Sequence, residues 1–85
     1  MASHRENVIV AGQLEGMGRR EECQVHAVKV SLPGTPEYEY ARPTIFDAPS
    51  DLQDGVYTLS FDRRSVKVQR VQGAWVAPSG DFLKF

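Results

Sequence analysis

Apolar residues recur at every second position along most of this chain, and almost nowhere at the three-and-four spacing of a helix. That pattern restricts the fold to paired strands, because a strand sends successive side chains to opposite faces. The carboxy-terminal third carries it most clearly. Tyr57, Leu59 and Phe61 alternate with Val56, Thr58 and Ser60, and Val66 and Val68 alternate with Lys67 and Gln69.

Glycine and proline divide the pattern into short runs. Expected strands cover Asn7–Leu14, Glu22–Leu32, Tyr38–Phe46, Gly55–Phe61, Ser65–Gln72 and Ala74–Ala77, with a short closing strand at Asp81–Phe85. Pro43 interrupts the third run, which argues for an edge position or a bulge. The stretch DAPSDLQDG reads as a turn-rich connector with one helical turn at Pro49–Leu52.

A chain of 85 residues has room for one modest core, since a domain this small buries only about 60% of its unfolded surface. The expectation is a flexible amino terminus, 1–6, followed by one small β domain, 7–85. The fold class is all-β: a partly open barrel of five or six short antiparallel strands, SH3-like or OB-like in architecture only, ending in a three-strand meander. Closing the sheet is the economical way to remove unpaired edges. A small β-sandwich is the alternative.

Cross-strand pairing ties the meander together. If Phe61 faces Val66 across a DRRS loop, Leu59 faces Val68 and Tyr57 faces Arg70, and a two-residue loop is expected to give the same register. A two-residue turn at Gln72-Gly73 then sets Arg70 against Trp75. One face carries Tyr57, Leu59, Phe61, Val66, Val68, Arg70 and Trp75, and the other carries Val56, Thr58, Lys67, Gln69, Val71 and Val76. A three-residue loop at Gly73 would send Trp75 to the opposite face.

The first face places a guanidinium between two aromatics, and Arg63, Arg64 and Lys67 rim the same ribbon. One reading makes the row a cap on the core, with the arginine stem lying over the rings. The other makes it a platform, because Tyr, Trp and Arg are enriched at binding hot spots. The expected function is therefore a non-catalytic binding module that engages another protein through Tyr57, Arg63, Arg64, Lys67, Arg70 and Trp75. The alternative is single-stranded nucleic-acid binding by the basic strand with aromatic stacking. The formal net charge of -1 counts against a polyanion partner.

Other motifs carry less. GQLEGMG at Gly12–Gly18 lacks the lysine and the helix of a phosphate loop. Cys23 and His26 stand three apart on a strand, on opposite faces, so no metal and no cofactor is expected. Tyr38 and Tyr40 are expected to pack on the sheet while Glu37 and Glu39 face water. Asp51 and Asp54 read as turn formers. No catalytic constellation emerges. Neither a leader segment nor a membrane-length apolar run is found, and a single cysteine suits a reducing compartment, so the expected location is cytoplasmic. The expected assembly is a monomer, or a homodimer through the Tyr38–Phe46 edge.

Overall fold

A computed structural model describes residues 4–76 and 82–83. Within them the strands are β1 (His4–Gly16), β2 (Arg19–Ser31), β3 (Tyr38–Phe46), β4 (Gly55–Phe61), β5 (Arg64–Val71), β6 (Ala74–Val76) and β7 (Phe82–Leu83). The sheet order is β6-β5-β4-β1-β2-β3-β7. Six antiparallel strands curl into a nearly closed barrel with one unsealed seam, and β7 extends β3 at Tyr40 and Ala41. The described residues contain no helix. The connector from Asp47 to Asp54 is turns and bends, so the expected helical turn at Pro49–Leu52 does not form.

Three hairpins close with two-residue turns: Met17-Gly18, Asp62-Arg63 and Gln72-Gly73. Both central residues of each have positive φ. This is the twist that suits a tight hairpin, and it usually demands glycine or asparagine. Asp62 (φ 48°) and Arg63 (φ 60°) adopt it without either. The turn is thus tighter than the expected DRRS loop. Phe61 pairs with Arg64 rather than Val66, and Tyr57 pairs with Val68 rather than Arg70. A shift of two keeps every side chain on its expected face, so the face assignment stands although the partners change. The second turn is the expected one, and Arg70 pairs with Trp75.

Pro43 marks a bulge, as the sequence suggests. β2 advances from His26 to Val28 while β3 advances from Thr44 back to Ala41, which leaves one extra residue in β3. Arg42 sits there with φ 53°. Elsewhere β1 passes so close to β4 that a Cβ on Gly16 would lie 2.6 Å from the Val56 carbonyl oxygen. Any larger residue would force the two strands apart.

The core lies on the inner face. Leu14, Val25, Tyr57 and Leu59 are its largest fully buried side chains, joined by Cys23, Tyr40, Leu52, Phe61 and Val68. The molecule is nonetheless long, 44 × 21 × 18 Å. The β4 ladder to β1 covers only Gly12 to Glu15, whereas β2 pairs with β1 along its whole length back to His4.

Candidate functional site

β5 organises what the sequence singled out. Its inner face reads Arg64, Val66, Val68, Arg70, so the two arginines sit at opposite ends of one inward-facing row, half-buried at Arg64 and buried at Arg70. Arg70 is 9% exposed. Its Nε donates to the Leu52 carbonyl at 3.0 Å and its terminal nitrogen to the Ser50 carbonyl at 3.4 Å. The guanidinium also lies 4.9 Å from the Trp75 ring, which meets Tyr57 edge-on with centroids 5.2 Å apart. Tyr57, 1% exposed, donates its hydroxyl to the Gln53 carbonyl at 2.6 Å.

Tyr57, Arg70 and Trp75 therefore do come together, and the connector is what they hold. Its Leu52 is buried in the core, and its Asp54 accepts from the backbone amides of Gln72 (2.8 Å) and Gly73 (3.2 Å). This connector closes one end of the barrel. Asp54 is more than a local turn former: its partners lie far along the chain, beyond the reach of spacing arguments.

Arg64 works at the other end. Its guanidinium stands 4.4 Å from the Tyr38 ring and 4.9 Å from the Tyr40 ring, and donates to the Tyr38 carbonyl at 3.0 Å. Lys29 covers Tyr38 at 4.2 Å. Both tyrosine hydroxyls donate to Asp62 Oδ2, at 2.8 Å from Tyr38 and 2.6 Å from Tyr40. The bond from Tyr40 holds the Asp62 carboxyl below the usual carboxylate range, helped by Tyr38 and Arg64. Tyr38 rises mainly through its bond to Asp62, and Tyr40 rises mainly through burial. Asp62 was not among the expected site residues. Tyr38 and Tyr40 were not either: they were expected only to pack on the sheet, and nothing in the sequence tied them to a turn more than twenty positions away.

Arg63 occupies the turn and is exposed, and Lys67 is exposed on the outer face of β5. The four cations thus point in several directions instead of forming one rim. Cys23 is buried while His26 is exposed, and burial pushes the Cys23 thiol up to about 11. A thiol held protonated is a poor nucleophile. Among the described residues no three His, Cys, Asp or Glu side chains cluster to hold a metal. No helix there is long and apolar enough to cross a membrane.

The unsealed seam runs between β3 and β6. A cavity of about 260 Å³ opens there, walled by Pro43 and Ile45 on one side, Trp75 on the other, and Leu59 and Val68 at the back. Trp75 is half-buried, and Phe46 and Val76, on the two bordering strands, are exposed at 41% and 48%. Of the expected binding residues, Trp75 alone borders this opening. Pro43 is what marked it in the sequence, since a proline in β3 removes a ladder donor.

No family model, curated protein or solved structure matches the chain. What it is rests on its own geometry: a small all-β barrel with both ends stopped and one side left ajar.

Proposed function

We propose that the chain is a non-catalytic binding module that docks another protein at the β3–β6 seam, where an apolar side chain of the partner enters the cavity beside Trp75. The observation that carries this reading is the cavity itself. It is apolar at its back and walled by a half-buried indole, and exposed Phe46 and Val76 stand on the flanking strands. Apolar pockets beside aromatic anchors concentrate binding energy, because water is excluded from a small area. Tyr57 and Arg70 support the site from beneath rather than touching the partner.

The nucleic-acid alternative has less to support it. Arg64 and Arg70 turn inward to close the barrel ends, which leaves Arg63 and Lys67 as the exposed cations of the basic stretch.

The test is a selection of displayed random heptapeptides on the folded protein, followed by titration of the winners against Trp75 emission. Enriched peptides should carry a bulky apolar residue, shift the emission, and bind at least ~10-fold more weakly to Phe46→Ser and Trp75→Leu, in line with loss of an anchor. Peptides that bind both variants undiminished, or a selection that enriches nothing, would overturn the seam as a docking site. A control titration with oligo-thymidylate at low salt should give no binding. Strong, salt-sensitive binding there would move the function to nucleic acid.

A further inference from the structure

Among the described residues the sheet has several open margins, and they are not protected alike. The seam margin of β3 is broken by the Arg42 bulge and Pro43, and its other half is covered by β7. The margin of β6 is only three residues long. Bulges, prolines and shortness are the usual means of stopping strand edges from pairing with other chains.

β1 has none of these. Upstream of Gly12 its only strand partner among the described residues is β2, so no described strand pairs with the margin from His4 to Ala11. The register to β2 is continuous there, without a bulge, and the run Asn7-Val8-Ile9-Val10-Ala11 contains no charge and no proline. Ile9 is 62% exposed, the highest value among the described large hydrophobic residues. Val8 and Val10, on the inner face, are half-buried against the edge of the core.

We infer that this margin is a self-association edge, at which two copies of the chain pair β1 to β1 antiparallel about a two-fold axis at Val8. The margin matches itself. β4 blocks pairing from Gly12 onward, and a two-fold at Val8 uses the stretch from Arg5 to Ala11 in both copies without touching β4. In that register Val8 meets Val8 of the second copy, Asn7 meets Ile9, Glu6 meets Val10 and Arg5 meets Ala11. No charge faces a like charge. A two-fold at Glu6 would set two carboxylates face to face, which is destabilising. The two Ile9 side chains lie diagonally across the axis on the outer face, within reach of each other. The two inner faces join through Val8, which continues both cores. An isologous contact of this kind closes after two copies and leaves no free β1 margin for a third.

Sedimentation equilibrium of the full chain at millimolar concentration tests the assignment. The wild type should sediment with the mass of two chains. The double variant Asn7→Lys, Ile9→Lys, altered only at exposed positions, should sediment as one, with its thermal transition measured at low concentration unmoved. Position is read separately: Val8→Cys in a Cys23→Ala background should oxidise to a covalent dimer, because facing Cβ atoms in such a pair are about 4.5–5.5 Å apart. A wild type that stays monomeric overturns the inference. So does a dimer that survives the lysine pair or fails to cross-link through position 8.

Discussion

Each end of the barrel is stopped by one arginine from β5, and the two do it with different partners. At the connector end Arg70 is buried and binds backbone carbonyls, with Trp75 against its guanidinium. At the tyrosine end Arg64 is half-buried and lies over two rings, whose hydroxyls converge on Asp62. Six positions along a strand span about 20 Å, so a single run of alternating residues reaches from one mouth to the other. The difference is one of partners. Arg70 gives its donors to fixed backbone carbonyls, whereas Arg64 combines the Tyr38 carbonyl with the faces of two tyrosine rings.

The largest expected effect follows from that contrast. Arg70→Ala would leave the Leu52 and Ser50 carbonyls without their donor and should cost about 3 kcal/mol in urea unfolding. Arg64→Ala should cost less, about 1–2 kcal/mol, from its lost ring contacts and its bond to the Tyr38 carbonyl. Equal losses would erase the distinction between the ends.

Tyr57→Phe removes the hydroxyl bond to the Gln53 carbonyl at the connector end and should cost about 1 kcal/mol in urea unfolding. The tyrosine end responds to acid. Asp62 has a folded-state pKa below its unfolded one, so its contribution is complete above the ordinary carboxylate range. It is lost as pH falls through the folded value. The effect should stay under about 1 kcal/mol, because solvent screens the group. Stability curves of wild type and Asp62→Asn from neutral pH to pH ~2 should converge at the acid end, the range over which a depressed carboxylate titrates. Parallel curves would remove Asp62 from the closure.

Much of this architecture could be read from residue order. The alternation in β4 and β5 identified the core face, and Gln72-Gly73 supplied the turn that sets Trp75 beside Arg70. Pro43 pointed to the irregular margin of β3. The failures share a cause. The Asp62-Arg63 turn lacks the residues that advertise positive φ, and it is held in place by tyrosines from β3. The connector looked like filler because its main role is played by carbonyl oxygens, which every residue has. For the candidate site, proximity of Tyr57, Arg70 and Trp75 was legible. Which of them borders an opening was not, since that depends on where β3 and β6 fail to meet.

Arg70's choice of acceptors also bears on how freely this protein can change. Because it grips main-chain oxygens, Ser50 could be exchanged for almost any residue without loosening the closure, provided the loop keeps its length and Leu52 and Asp54 stay. The connector is thus a natural place to graft foreign peptide sequence, and homologous chains should vary there more than at any other closed part of the surface.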